Sequence, residues 1–181
     1  MATLRGALDA LDARRGGDEE AHAWVELAMG AAQDLDDLIA SQLKPSAPHP
    51  VDAGHALRRA LDSLHADVER RGAQVEASGL PRVLADELAL ARIFQNLVGN
   101  SLRHSRSKRI QVEARDRGRF VEFSVRDGGP GPSPAAIAAP AGDPEHGLGI
   151  ARNLAVAMGG ALRIERVGDE GVVRFDVPKE A

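Results

Sequence analysis

The chain has 181 residues, which is enough for one ordinary domain and a smaller appendage. Its formal net charge of -4 at pH 7 argues against a surface built mainly for nucleic acid, and the absence of cysteine excludes disulfides and thiolate metal sites. The first residues lack a secretory signal pattern, and no apolar run approaches the roughly 18 residues that span a bilayer. We therefore expect a cytoplasmic chain with no membrane segment.

Residues 1–43 are helical in character. Two apolar stripes at helical spacing are separated by the breaker Arg-Arg-Gly-Gly at residues 14–17. The stripes contain Leu4, Leu8 and Leu11 before the breaker and Trp24, Leu27, Ala31, Leu35, Leu38 and Ile39 after it. Because neither stripe is covered within the segment, we predict a helical hairpin that forms a homodimer or packs on the following domain. The proline-rich segment 44–52 is the predicted linker.

Residues 53–181 mix helical and strand patterns. The predicted helices are 53–72, 86–104 and 147–158, and the predicted strands lie near Val75 and at 109–115, 119–126, 161–166 and 171–177. A loop rich in glycine, proline and alanine is predicted over 128–146. This order predicts an α+β sandwich, a mixed sheet with its helices on one face.

The helix predicted at 86–104 carries two asparagines one turn apart, although Asn is a poor helix former. One sector of its projection is mainly apolar and holds Leu90, Ile93, Phe94, Leu97 and Ser101. Another sector gathers Arg92, Asn96, Asn100 and Arg103. A polar stripe can be simply the face that water contacts. Solvated faces prefer Glu, Lys and Gln, however, whereas short amides with a guanidinium one turn on suit Mg²⁺ together with phosphate.

Two glycine-containing segments follow. Asp127 ends an apolar strand and precedes Gly129 and Gly131, so its carboxylate could accept a hydrogen bond from an amino group while backbone approaches a ligand closely. Gly147 and Gly149 stand where a loop enters a helix, whose free N–H groups form an anion site. Each segment alone is equally well explained as turn chemistry or as an ordinary helix start. With the asparagine stripe, they supply a metal ligand, an adenine acceptor and phosphate donors.

These motifs resemble those of a known family. The stretches "IFQNLVGNSLRHS", "VRDGGPG" and "HGLGIARNLAVAMGG" resemble, in order and spacing, the N-box and the two glycine boxes of the sensor histidine kinase ATP-binding domain. That domain is a member of the gyrase, chaperone, kinase and mismatch-repair ATPase superfamily, so the resemblance implies a Bergerat-type ATP-binding sandwich at 53–181. The segment "DEEAHAWVELAMGAAQDLDDLIASQLKPS" resembles the second helix of the dimerisation hairpin in phytochrome-like kinases, which implies that the first helix of the hairpin at 1–43 is truncated.

The resemblance implies ATP and Mg²⁺ as ligands. Asn100 would ligand Mg²⁺, Asn96 would support the metal and phosphate side of the site, and Asp127 would bind the adenine amino group. The other ATP contacts implied by position are Arg103 at the phosphates, His104 beside the nucleotide, Gly129 and Gly131 at the pocket floor, and Gly147, Leu148 and Gly149 over the phosphates.

The implied activity is that of a two-component histidine kinase, which transfers the γ-phosphoryl group of ATP to a histidine and has a response regulator or another phosphoacceptor protein as partner. None of the six histidines matches the family's acceptor pattern, so we assign no catalytic residue and expect ATP binding without self-labelling. The alternatives are a serine-kinase anti-sigma factor of the same ATPase fold and a non-catalytic pseudokinase or phosphotransfer dimer. The hairpin argues against the former, and Asn100, Asp127 and Gly-x-Gly argue against the latter.

Overall fold

The structure is a computed structural model that describes residues 46–105, 107–129, 148–167 and 170–180. All of these residues belong to one compact unit, Lys44–Ala181. The predicted hairpin at 1–43 and most of the predicted loop at 128–146 lie outside the described residues.

A five-stranded mixed sheet forms the base of this unit. The strands in chain order are β1 (His49–Asp52), β2 (Gln74–Ser78), β3 (Arg82–Ala85), β4 (Arg109–Asp116), β5 (Phe120–Arg126), β6 (Leu162–Val167) and β7 (Glu170–Pro178). The large sheet has the order β2-β4-β5-β7-β6, in which β2 runs parallel to β4 and the other neighbours pair antiparallel. Strands β1 and β3 form a separate two-stranded sheet.

The helices cover one face of the large sheet. They are α1 (Ala53–Ser63), α2 (His65–Arg71), α3 (Glu87–His104) and α4 (Leu148–Ala157). Helix α3 packs on β5 and α4 packs on β6 and β7, while α1 and α2 pack against α3. The predicted α+β sandwich is therefore confirmed. Within the ranges that the structure describes, no helix is long and apolar enough to cross a membrane.

Three fully buried phenylalanines hold α3 on the sheet. Phe123 of β5 and Phe175 of β7 are register partners, and their rings stack with centroids 5.0 Å apart. The ring of Phe94 from α3 meets both edge-on, at 5.6 Å from Phe123 and 5.5 Å from Phe175. Such aromatic pairs contribute about 0.5–1.5 kcal/mol each beyond the burial of their area. The contact fixes α3 over the centre of the sheet.

The opposite face of the sheet carries a network of charges around Glu122. This carboxylate is 8% exposed and accepts hydrogen bonds from Arg117 at 3.0 Å, Arg163 at 3.2 Å and Arg174 at 3.3 Å. Burial alone would raise the pKa of Glu122, but the hydrogen bond from Arg117 and the surrounding guanidinium charges hold that pKa below its ordinary value. Glu122 is therefore ionised and paired, which makes a buried charge tolerable on this face.

The sequence pattern does not predict the two short strands β1 and β3. The sequence predicts a linker over 44–52, and this is wrong at His49–Asp52, which form β1 and pair with β3. Pro50 argues against a strand, because proline cannot donate to a strand ladder. The pairing depends instead on contact between distant residues, since Val51 lies opposite Val83 and both are buried.

The helix predicted over 53–72 is broken at Leu64, which has φ -104° and ψ 7°. Its N–H donates to the carbonyls of both Ala60 and Leu61, so the chain turns there before α2 begins. Leu64 is 4% exposed. A side-chain carbon of Leu64 would lie 3.6 Å from a Cβ at Gly99 of α3, so Leu64 lies beside this part of α3. The helix thus breaks where the buried Leu64 lies beside α3.

Asp86 fixes the start of α3 and holds the segment before β1. It is 8% exposed, and its Oδ1 caps the helix by accepting from the Ala89 N–H at 2.9 Å. Its Oδ2 accepts from the Ser46 N–H at 2.7 Å and from the Ser46 hydroxyl at 2.5 Å. Burial alone would raise the pKa of Asp86, but the hydrogen bonds from Ser46 and Ala89 outweigh burial and lower it.

Replacing Asp86 by Asn is expected to lower the free energy of unfolding by about 1–2 kcal/mol at pH 7. Asn can still cap α3 through its oxygen, but its NH₂ group cannot accept the two hydrogen bonds from Ser46. Because folding lowers the pKa of Asp86, the wild-type advantage is complete above the unfolded pKa of about 4 and is lost as pH falls through the folded pKa. Urea unfolding between about pH 5 and pH 2 measures this loss.

Asp52→Asn is the matched control. Asp52 caps α1 by accepting from the His55 N–H at 2.9 Å, and Asn performs the same task, so a change below about 0.5 kcal/mol is expected. A difference between wild type and Asp86→Asn that stays constant over the acid range would contradict the role of the ionised carboxylate.

Candidate functional site

The polar sector of α3 is more buried than a solvated helix face. The predicted apolar sector is buried throughout, at Leu90, Ile93, Phe94, Leu97 and Ser101. In the polar sector, Asn96 is only 4% exposed and Asn100 is half-buried, whereas Arg103 is exposed, as is the next residue, His104. The interpretation of this stripe as the face that water contacts is therefore wrong at Asn96.

Helix α3 is buried on several sides because α1, α2 and α4 pack against it in addition to the sheet. Ala91, Val98 and Leu102, which lie outside the predicted apolar sector, are buried as a result. Apolar and small side chains occupy these contacts, so the amides of Asn96 and Asn100 share the one polar sector that remains.

The Asn96 amide offers an unused donor. Its Nδ2 atom is buried, and no described residue accepts a hydrogen bond from it. A buried polar atom without a partner costs about 1–3 kcal/mol, so a ligand that supplies the partner would recover this energy. An amide carries a donor and an acceptor, and it can serve a phosphate oxygen or a hydrated cation. Asn96 and Asn100 lie one turn apart, and their amides therefore carry the kinds of atoms that a Mg²⁺–phosphate group needs as partners.

Asp127 directly follows β5 and begins a tight turn. Its Oδ1 accepts from the Gly129 N–H at 2.8 Å, and the intervening Gly128 has φ 68°, a conformation that favours glycine. The Gly129 carbonyl accepts from the Gly171 N–H of β7 at 2.9 Å. The turn is thus tied to itself and to the sheet, with the half-buried Asp127 carboxylate at its start.

Ser105 joins this turn to the end of α3, and sequence reasoning missed it. The Ser105 hydroxyl donates to the Asp127 carbonyl at 3.0 Å and accepts from the Ser107 N–H at 3.0 Å. Ser105 is also the residue that ends α3, where its N–H donates to the Ser101 carbonyl. A short hydroxyl residue directly after the last helical residue is the signal that could have found it.

The second glycine segment leads into α4, which packs against α3. Leu148 and Gly149 are buried in the first turn of α4, and α4 packs against α3. The N–H groups of that first turn have no partners within the helix, as an anion site requires. Gly131 and Gly147 lie outside the described residues, so their predicted roles stay predictions.

Comparison with known proteins matches the part of the chain that carries these features to one family. Residues 85–181 match the family described as histidine kinase-, DNA gyrase B-, and HSP90-like ATPase. The phytochrome-like protein Cph1 of Synechocystis sp. is 28% identical over 127 residues, which cover 65% of this chain and 17% of Cph1. The methanogenesis regulatory histidine kinase FilI of Methanothrix harundinacea is 30% identical over 199 aligned residues, which cover 97% of this chain and 22% of FilI. The chain thus spans less than a quarter of either relative.

Solved structures share the fold. The histidine kinase AdeS of Acinetobacter baumannii superposes with a TM-score of 0.69 at 16% identity, over 99% of this chain and 95% of that chain. Full-length ShkA in complex with AMPPNP superposes with a TM-score of 0.63 at 25% identity, over 98% of this chain and 43% of ShkA. At 16% identity the likeness to AdeS supports the fold alone.

Gly129→Ala is expected to displace the Asp127 carboxylate. A Cβ at residue 129 would lie 2.9 Å from Asp127 Oδ1 and 3.3 Å from the Ser105 hydroxyl, so both side chains would have to shift. We expect a loss of about 1–2 kcal/mol of unfolding free energy and faster amide hydrogen exchange at residue 129. Urea unfolding and hydrogen exchange followed by NMR measure the two effects.

Gly118→Ala is the control, because Gly118 has φ 79° in a distant turn and a Cβ there would meet nothing within 4 Å. That variant should lose stability through backbone strain alone and keep the wild-type exchange rate at residue 129. An unchanged rate at residue 129 in Gly129→Ala would show that the crowding is harmless.

Proposed function

Because the chain belongs to the family of histidine kinase-, DNA gyrase B-, and HSP90-like ATPases, we propose that it binds ATP together with Mg²⁺ and supplies the γ-phosphoryl group for transfer to a histidine. Its ATP-binding domain is of the histidine kinase type. The observation that carries the proposal is the junction at Ser105, where the helix with Asn96 and Asn100 is bonded to the turn that begins at Asp127.

Asp127 would recognise the adenine base. Among the described residues, only Gly129 donates to its carboxylate, and that hydrogen bond occupies Oδ1. The second oxygen is left to accept from the exocyclic amino group of adenine. Because the turn is tied to β7 and to α3, the carboxylate is held in place before the nucleotide arrives, which lowers the entropic cost of binding.

Asn100 would hold Mg²⁺ through its amide oxygen, with Asn96 beside it on the phosphate side. When bound, Mg²⁺ would offset the charge of the triphosphate. Arg103, one turn nearer the helix end and exposed, adds a guanidinium donor for phosphate oxygens. The first turn of α4, with Leu148 and Gly149, adds backbone N–H groups directed at an anion.

Phosphoryl transfer needs little covalent chemistry from the protein, which mainly positions the reactants and neutralises charge. The phosphorylated histidine would belong to a dimerisation hairpin of the kind that the pattern at 1–43 predicts, but it would not be one of this chain's six histidines, none of which matches the acceptor pattern. We propose a homodimer through that hairpin, a response regulator as the next phosphoacceptor, and a location in the cytoplasm, where ATP is available.

Asn100→Ala is expected to weaken ATP binding at least tenfold in the presence of Mg²⁺ and much less in EDTA, since it removes a cation ligand. Isothermal titration calorimetry with each buffer measures both affinities. Asn153→Ala is the matched control, because Asn153 is an exposed asparagine on α4. Wild type and Asn100→Ala binding ATP equally with Mg²⁺, or neither binding it, would favour a pseudokinase.

Asp127→Asn is expected to lower ATP affinity by about ten- to a hundredfold. The Asn oxygen can still accept from the Gly129 N–H, but its NH₂ group would face the adenine amino group, donor against donor. Purine riboside triphosphate, which lacks that amino group, should bind wild type and variant with similar affinity. Asp62→Asn, at an exposed position of α1, is the control. An equal loss for both nucleotides would count against recognition of the amino group by Asp127.

A further inference from the structure

We propose that Ser105 is a positioning residue for adenine recognition, an inference that rests on the function proposed above. Its hydroxyl links the end of α3 to the backbone of Asp127. Through this link it sets where the adenine acceptor stands relative to Asn100 and Arg103, which lie on the same helix.

Ser105 is itself held in one conformation. The side chain is 6% exposed, and the backbone N–H is bonded to the Ser101 carbonyl at 2.9 Å. The hydroxyl has one hydrogen to donate, and Asp127 takes it; its oxygen accepts from the Ser107 N–H. Because both partners are backbone groups in fixed places, the hydroxyl has one orientation that satisfies both.

The other hydrogen bonds of the Asp127 turn with described residues do not reach α3. The bond from Gly129 to Asp127 is internal to the turn, and the bond from Gly171 to Gly129 leads to β7. Among the described residues, the Ser105 hydroxyl makes the hydrogen bond that joins this turn to the residue ending α3. Without it the turn would stay attached to the sheet but could shift relative to the helix.

Glycine at position 129 also lets the turn lie close to Ser105. A Cβ at Gly129 would lie 3.3 Å from the Ser105 hydroxyl oxygen and 3.6 Å from its Cβ, so glycine at 129 permits this close approach. A side chain at residue 129 would therefore crowd the hydroxyl whose hydrogen bond joins the two segments.

A bound nucleotide would span both segments, with its base at Asp127 and its phosphates at Asn100 and Arg103. A small displacement of the turn would spoil the geometry at the base while leaving the phosphate end intact. A hydrogen bond that only stabilises the fold would instead weaken the binding of all nucleotides alike. The ratio of ATP affinity to purine riboside triphosphate affinity separates these two roles, because only ATP carries the amino group that Asp127 accepts.

The test compares Ser105→Thr with Ser105→Val in the full chain, using both nucleotides with Mg²⁺. Thr and Val have nearly the same shape, so any effect of the added methyl group is shared and the difference reports the hydroxyl. We expect Ser105→Thr to keep the wild-type affinity ratio within about threefold and Ser105→Val to lower it about tenfold. In Ser105→Val the Ser107 amide should also exchange faster, because it loses its acceptor.

A wild-type ratio in Ser105→Val, or an equal fall in both affinities, would overturn the positioning role. If Ser105→Val does not fold, Ser105→Ala, which adds no methyl group, decides the question by the same ratio. Asp127→Asn, measured in parallel, separates the adenine contact proposed for Asp127 from the positioning role proposed for Ser105. If it lowers the ratio and the Ser105 variants do not, only the role of Ser105 fails. If it leaves the ratio unchanged, the proposed adenine contact fails and the role of Ser105 fails with it.

Discussion

The contact of Phe94 with Phe123 and Phe175 determines where α3 lies on the sheet, and the candidate site depends on that placement. Full burial of a phenylalanine contributes about 1.5–3 kcal/mol, and edge-on pairing adds to it. Because the three rings come from α3, β5 and β7, they join the helix to the centre of the sheet. The apolar sector of α3 faces the core, so the amide side chains of Asn96 and Asn100 lie together in the polar sector that remains.

The two faces of the sheet differ in chemistry: one is apolar and covered by helices, and the other carries charges. The helical face excludes water and uses apolar side chains from alternate residues of β5, namely Val121, Phe123 and Val125. The opposite face carries Glu122 among arginines, so the strand can place a buried carboxylate there without an unpaired charge. Glu122 and Asp127 belong to the same stretch of chain, but Glu122 is paired with arginines, whereas one carboxylate oxygen of Asp127 accepts no hydrogen bond from the described residues. Their surroundings, rather than their residue types, separate the structural carboxylate of Glu122 from the carboxylate of Asp127, for which we propose a role in binding.

Local patterns predict much of the fold and part of the site. The alternation in β5 and the helical periodicity of α3 are properties of neighbouring residues, and both elements lie within a residue or two of their predicted bounds. Strand β1, the packing of Leu64 beside Gly99 and the junction at Ser105 each join residues that lie 22 or more positions apart, so periodicity cannot predict them. The sequence shows that two asparagines one turn apart are unusual in a helix. The burial of Asn96 follows only from the packing of α1, α2 and α4 around α3.

The sequence by itself determined the α+β class, the order of its main elements, and the residue types that a nucleotide site needs at α3, Asp127 and Gly149. Periodicity and turn chemistry encode these locally, since each depends on side chains within a few residues. Only the tertiary structure decided that the Asp127 turn is bonded to the end of α3, that Asn96 is buried with a donor unused by the described residues, and that Glu122 is neutralised. Hydrogen bonds and ion pairs between distant segments exist only once the chain has folded, because folding alone brings their atoms within 3–4 Å.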